Sequence, residues 1–169
     1  MLKTDYDWVF DALKPNEVIR FVIASAPKPI QSVRFSARAG YVQTFQPAAN
    51  KAWKREIKLA VAQQLPPGWK PFTDTPLWVR TVYVFSPLKS FRKADQKLIA
   101  EDGVLLKHTK PDVNDNLNKG LYDALTGVVW DDDSRVAFAE PLKIYGKEAG
   151  IIISVGTLPE RLVKKGIDE

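Results

Sequence analysis

Residues 110–136 read KPDVNDNLNKGLYDALTGVVWDDDSRV, and this stretch decides how the rest of the chain is arranged. Its middle predicts one helix. Pro111 stands near the start, where a missing N–H costs little, and Asp112 is a good N-cap. Apolar residues recur at helical spacing and predict a buried face, made of Val113, Leu117, Leu121, Ala124 and Leu125. Gly127 is placed to end the helix as a C′ glycine does.

Carboxylates flank this predicted helix in two groups. Asp112 and Asp115 stand at its start, and Asp131–Asp133 follow its end. A helix of this length spans about 20 Å, so the groups meet only if the chain folds back after Gly127. Carboxylates that close repel one another, and a hard cation such as Mg²⁺ offsets the repulsion. Lys119 lies four residues after Asp115, on the same helix face, and acids with one lysine around a phosphate suit metal-assisted phosphodiester hydrolysis.

The same acids also have a plain structural interpretation. Asp112 would cap the helix and Asp131–Asp133 would form a solvated turn, because exposed acids and N-cap aspartates are common in proteins. Taken one at a time, the acids favour this interpretation. Their combination with Lys119 keeps a metal site open as the second interpretation.

The ordered motifs of this stretch resemble those of the RusA family of Holliday junction resolvases, endodeoxyribonucleases of phages and prophages. The family pattern is Lys or Arg followed by Pro-Asp-x-Asp-Asn-Leu-x-Lys, then Asp-Ala-Leu, then Gly-x-x-Trp-x-Asp-Asp-x-Gln-Val. The matching positions here are Lys110–Asp112, Asp115–Lys119, Asp123–Leu125 and Gly127–Val136. The resemblance is strong over residues 110–136 and loose from about residue 20 to residue 155.

The resemblance implies a Mg²⁺-dependent homodimer, with Mn²⁺ able to substitute, that resolves four-way branched DNA by paired symmetric cuts in recombination and repair. By this resemblance Asp112, Asp115 and Asp133 are both metal ligands and catalytic residues. Asp132 is a neighbouring acid that could join the metal ligands, and Lys119 is a catalytic lysine.

Two positions depart from the family pattern. The family's leading acids are two residues apart, whereas Asp112 and Asp115 are three apart, which a one-residue insertion explains. The change is tolerable because residues i and i+3 share a helix face, while i and i+2 do not. Arg135 stands where the family has a glutamine, so the role of that side chain is open.

The charge distribution favours nucleic acid as a partner. The net charge is +5, but residues 28–110 hold fifteen Lys or Arg and five acids, which leaves −5 on the remainder. Cations suit the phosphates, and carboxylates suit a metal at the scissile bond. The candidate DNA contacts lie at or near the tip of a predicted hairpin over 30–46, on a predicted helix over 48–64, and in or directly after the connection over 88–109: Arg34, Arg38, Lys51, Lys54, Arg55, Lys58, Arg92, Lys93, Lys107 and Lys110. Basic helix faces are equally often plain solvated surfaces.

Composition excludes several other kinds of site. The chain has no cysteine, so disulfides and thiolate metal sites are excluded, and His108 alone cannot build a histidine zinc site. No apolar run of membrane-spanning length occurs, and the acidic N-terminus is unlike a secretory signal. We therefore expect a cytoplasmic protein with no membrane partner and no small-molecule cofactor.

The element pattern predicts a single α+β domain: a mixed sheet of about five strands with two main helices packed on one face. The predicted strands cover residues 18–25, 77–86, 135–145 and 149–155, besides the hairpin. We expect residues 1–17 to be an N-terminal extension, 18–156 the nuclease domain and 157–169 a C-terminal tail. Two alternatives to a junction resolvase stay open: a branched- or flap-DNA nuclease of the same chemistry, and a non-catalytic DNA-binding module.

Overall fold

The computed structural model describes residues 6–30, 34–38, 41–45 and 48–163, and side chains over 6–30 and 48–163. Its helices are α1 Trp8–Ala12, α2 Ala48–Ala62, α3 Lys93–Ala100 and α4 Lys119–Leu125, with a π-helical segment at Val113–Asn118 and a 3₁₀ turn at Asp133–Arg135. Its strands are β1 Asn16–Ile23, β2 Arg34–Arg38, β3 Tyr41–Phe45, β4 Leu77–Phe85, β5 Leu105–Leu106, β6 Val136–Tyr145 and β7 Gly150–Thr157. We call residues 113–125, which join the π-helical segment to α4, the acid helix.

Five strands form one sheet in the order β1-β7-β4-β6-β5. β4 and β6 run parallel, and the other neighbours run antiparallel, so the predicted mixed sheet is confirmed. The parallel pair requires a long crossover, and α3, β5 and the acid helix lie within it. The acid helix therefore ends where β6 is about to begin.

The predicted hairpin is confirmed as a separate two-stranded sheet of β2 and β3. Arg38 pairs with Tyr41 beside the tip, as expected. Arg34 pairs with Phe45 at the open end, so its prediction near the tip is wrong, because the strand is five residues long and Arg34 begins it. The side chains of both arginines lie outside the described residues.

One face of the five-stranded sheet carries the core. Alternation along β4 turns Leu77, Val79 and Tyr83 to this face, and all three are fully buried. α2 covers it with buried residues three and four positions apart, namely Trp53, Ile57 and Val61. The acid helix packs beside α2 through Leu117, Leu121 and Leu125. The prediction of two main helices on one face is confirmed.

The described residues cover the opposite face of the sheet only in part. Phe10 of α1 contacts Phe138 of β6, with ring centroids 5.8 Å apart. Val22 and Leu142 remain exposed on this face. Across the described part of the chain, no helix has the length and apolarity that a membrane span requires.

Candidate active site

The acid helix begins with an unusual turn. Leu117 N–H donates to the carbonyl of Asp112 at 3.3 Å, a bond that reaches back five residues rather than four. Such a bond encloses one residue more than an α-helical turn. The π-helical turn thus accommodates the extra residue between Asp112 and Asp115 without disturbing the helix that follows. Asp112 occupies the N-cap position with extended backbone, but its side chain makes no capping bond, so the predicted capping role is wrong.

A buried pair anchors this turn to the sheet. The hydroxyl of Tyr83 on β4 donates to Oδ1 of Asn118 at 2.7 Å. Asn118 is 6% exposed, and burial raises the pKa of Tyr83 well above 10. Sequence reasoning missed this pair. The signal was available, because Asn118 lies three residues before Leu121 and seven before Leu125, on the buried side of the acid helix.

Lys143 of β6 fixes the segment that leads into the acid helix. Its ammonium donates to the carbonyls of Thr109 and Pro111, each at 2.7 Å. On the other side, Ile30 N–H donates to the carbonyl of Asn116 at 3.1 Å. The start of the acid helix is therefore held between β6 and the segment that leads to the hairpin.

Three predicted catalytic residues lie together at this end of the acid helix. Asp112, Asp115 and Lys119 are all exposed, so they occupy the solvent side of the first turns. A groove of about 400 Å³ opens beside Asp112, and its lining includes Pro29 and Lys110. A phosphate entering the groove would meet the carboxylate of Asp112 and the ammonium of Lys110.

The second acid group has a different structure. Arg135 donates to both carboxylate oxygens of Asp131, at 2.9 and 2.8 Å, and these bonds hold the pKa of Asp131 below its ordinary value. Asp132 accepts from Ser134 N–H at 2.9 Å, and hydrogen bonds from Ser134 lower its pKa. The side chain of Asp133 is exposed and has no hydrogen bond or ion pair with any other described residue. Arg135, in place of the family's glutamine, organises the turn.

The chain turns immediately after the acid helix. Gly127 adopts φ 79°, which a glycine tolerates best, and its N–H donates to the carbonyl of Trp130 at 2.7 Å. Trp130 is fully buried, and Asp131 N–H donates to the carbonyl of Phe72 at 3.0 Å. The prediction that Gly127 ends the helix agrees with its position two residues after Leu125. The second acid group is held at the C-terminal end of the acid helix.

The two acid groups therefore lie at opposite ends of the site. β6 begins at Val136, beside Asp133, and its Lys143 holds Pro111, beside Asp112. The seven steps from Val136 to Lys143 span about 23 Å, so Asp133 and Asp112 lie near opposite ends of this stretch of β6. The predicted convergence of the two groups within one chain is wrong, because the acids precede the returning strand and are not carried back along it.

The absence of a metal-ligand cluster among the described residues agrees with the separation of the two acid groups. Among the residues that the structure describes, no three or more His, Cys, Asp and Glu side chains are arranged to hold a metal ion. One protomer offers Asp112 and Asp115 at one end of the acid helix and Asp133 at the other. The individual roles of these residues stay predictions.

Some of the residues predicted to contact DNA already form ion pairs or hydrogen bonds within the protein, and others are exposed. Lys54 pairs with Asp123 at 2.7 Å, and Arg92 pairs with Asp95 at 3.0 Å, so part of their charge is already neutralised. Lys107 is half-buried and donates to Tyr145 Oη at 2.9 Å. The remaining described candidates are exposed: Lys51, Arg55, Lys58, Lys93 and Lys110.

The fold and the exposed acid–lysine group, beside basic surfaces, define an α+β protein suited to act on nucleic-acid phosphates. A family model described as Endodeoxyribonuclease RusA matches residues 25–156. The chain is also 32% identical over 141 residues to the uncharacterized protein YqaN of Bacillus subtilis (strain 168), covering 82% of this chain and 96% of that protein. The chain belongs to the RusA family of endodeoxyribonucleases, enzymes that hydrolyse DNA phosphodiester bonds, and the resemblance found over residues 110–136 is confirmed.

Proposed function

We propose that the protein is a Mg²⁺-dependent homodimer that resolves four-way DNA junctions by paired symmetric cuts. The family supports a Holliday junction-resolving endonuclease. One observation supports the proposal most strongly: some aspartates of this region have hydrogen-bond or ion-pair partners within the protein, and others do not. Asp123 and Asp131 each form an ion pair, and Asp132 accepts a hydrogen bond from a backbone N–H. Asp112, Asp115 and Asp133, which the family pattern selects, are exposed, and their side chains make no hydrogen bond or ion pair with any other described residue.

Asp112 and Asp115 fit the needs of Mg²⁺. The ion prefers oxygen ligands and commonly takes one or two carboxylates, with water and phosphate oxygens completing its shell. Both residues are exposed, and Asp112 lines the open groove, where a DNA phosphate can approach. When bound, Mg²⁺ supplies activation of a water and neutralisation of phosphate charge.

Lys119 is the lysine of the acid helix nearest to Asp115, and it can face the reacting phosphate. It lies one turn after Asp115 and is exposed. Lys54, on the neighbouring helix α2, is already paired with Asp123 at 2.7 Å. We assign Lys119 to stabilise the negative charge that develops on the phosphate or the leaving oxygen.

Asp133 would complete the site of a second protomer. In its own chain it lies beside the start of β6, whereas Asp112 follows Pro111, which is bonded to Lys143 near the end of that strand. A twofold axis across β6 reverses the direction of that strand in the second copy. The start of one β6, with Asp133, would then lie beside the end of the other, where Lys143 holds the approach to Asp112. Lys143 would also offer Asp133 an opposite charge.

The free edge of β6 suits such an axis. β5 pairs only with Ile144 and Tyr145, and Lys107 N–H adds one bond to the carbonyl of Lys143. Over residues 136–142 this edge has no strand partner among the described residues. Unpaired edges are templates for pairing with another chain. Two copies joined here would carry two sites, as two symmetric cuts require.

A synthetic four-way junction tests this function directly. We expect paired, symmetry-related nicks with Mg²⁺ and no nicks after EDTA, with a linear duplex of the same sequences as the control. Binding without cutting in Mg²⁺ would contradict the catalytic assignment. Cutting of flaps but not of junctions would contradict the substrate and favour a branched-DNA nuclease of the same chemistry.

A further inference from the structure

A pocket of about 350 Å³ lies beside the segment that leads into the acid helix. Its apolar walls come from Leu88, Phe91 and Leu105, and its polar groups include Asp95, His108 and Thr109. The pocket is distinct from the groove at Asp112, since the two share no lining residue. Its size is within the range of small-molecule sites, where apolar walls and a few placed polar groups are usual.

One wall of the pocket is a fixed aromatic surface. The rings of Phe91 and Tyr145 meet edge to face, with centroids 4.9 Å apart. Lys107 holds Tyr145 in place, because its ammonium lies 2.9 Å from the hydroxyl and 4.8 Å from the ring centroid. The same hydrogen bond lowers the pKa of Tyr145. Contacts within the protein therefore hold this wall together.

The surroundings of the pocket are cationic. Arg92 lines the pocket, and its side chain is 85% exposed although it is bonded to Asp95. Lys89 and Lys93, which are also exposed, directly follow the lining residues Leu88 and Arg92 in the chain. Lys110, also exposed, directly follows the lining residue Thr109 in the chain. A ligand that places a flat apolar ring inside and anionic groups outside matches this distribution. Nucleotides have that chemistry.

The pocket is close to the acids of the proposed site. Thr109 lines the pocket and precedes Asp112 by three residues, so their Cα atoms are at most about 11 Å apart. Each nucleotide advances about 3.4 Å along a DNA strand. The pocket therefore lies within a few nucleotides of a phosphate held at Asp112 and Asp115.

We propose that this pocket receives an unpaired nucleobase of the DNA, close to the scissile phosphate. The inference rests on the proposed function and adds a contact to the base. The base stacks against Phe91, and its edge takes hydrogen bonds from Thr109 or donates them to Asp95. Displacing a base costs unstacking and unpairing energy, and this cost is lowest for a base that is not held within an undisturbed duplex, so we place the base next to the junction's exchange point.

The test compares Phe91→Ala with wild type on junctions that contain one abasic site, moved along the positions nearest the exchange point. Loss of stacking on one base weakens binding by roughly 5- to 100-fold. We expect wild type to lose this factor at one abasic position. Phe91→Ala should bind the intact junction more weakly by a similar factor and be indifferent to that abasic site. Phe91→Trp should retain the discrimination.

Phe10→Ala is the matched control, since Phe10 is an exposed aromatic on the opposite face of the sheet. Equal sensitivity of wild type and Phe91→Ala to every abasic position would overturn the inference. Loss of dimer in Phe91→Ala, with base discrimination unchanged, would also overturn it and make the pocket a protein contact. Binding is measured in EDTA and cleavage separately in Mg²⁺, so failure to cut would contradict the proposed function without touching the base pocket.

Discussion

Tyr83→Phe should destabilise the protein by removing the bond that anchors the acid helix. The Tyr83 hydroxyl donates to Asn118 Oδ1 at 2.7 Å, and the two residues are 0% and 6% exposed. Phenylalanine keeps the ring and leaves no large cavity. The loss of stability therefore comes from the amide oxygen of Asn118, which is left buried without a donor. Leaving a buried acceptor unsatisfied costs about 1–3 kcal/mol. For a protein of this size, that corresponds to a Tm lower by about 2–12 °C.

Thermal and urea unfolding measure this loss. Tyr6→Phe is the control, because Tyr6 is 55% exposed and its variant should match wild type. In an Asn118→Leu background the acceptor is absent, so Tyr83→Phe should cost much less than it does alone. Equal stability of Tyr83→Phe and wild type, or equal cost in both backgrounds, would refute the anchoring role.

Three further predictions concern single residues. Asp133→Asn should abolish junction cleavage while leaving junction binding intact. Asp123→Asn, which weakens only the ion pair with Lys54, is the control and should still cut. A fully active Asp133→Asn variant would remove Asp133 from the site. Burial raises the pKa of Tyr122 from 10.0 to about 12, so the stability tied to its neutral phenol is complete below pH 10 and is lost as the pH rises toward 12. At pH 11 this loss of stability is about 1 kcal/mol. Urea unfolding at pH 8 and at pH 11 measures it, and Tyr122→Phe should lose less stability between the two pH values than wild type. Equal losses would contradict the raised pKa of Tyr122. Gly127 has φ 79° and open space where a Cβ atom would stand, so Gly127→Ala should cost about 1–2 kcal/mol from backbone strain alone, and Gly127→Asn less; an unchanged Tm in both would count against the turn.

The elements with strong local patterns were predicted correctly. α2 carries apolar residues at helical spacing, and the predicted helix over 48–64 is observed at Ala48–Ala62. The predicted strand over 77–86 is Leu77–Phe85, and the strand before the tail extends to Thr157. β5 was not predicted, because two residues carry no readable alternation. Its pairing depends on the end of β6, which is distant in sequence.

The candidate site was harder to predict than the fold. The local sequence motifs identified acids that are exposed in the structure. They do not determine the direction in which β6 leaves the second acid group. That direction follows from parallel pairing of β6 with β4, a contact between residues more than fifty positions apart. The same long-range pairing separates Asp112 from Asp133. The π-helical turn was also missed, although the three-residue spacing of Asp112 and Asp115 was its sequence signal.

The most direct test of the central claim is a mixed dimer of Asp115→Asn and Asp133→Asn protomers, purified with two different tags. If Asp112 and Asp115 act with Asp133 of the second protomer, the mixed dimer has one intact site and one doubly altered site. It should therefore nick a four-way junction once in Mg²⁺, whereas each variant alone is inactive. If the three acids act within one chain, both sites of the mixed dimer are altered, and absence of any nick would contradict the shared site.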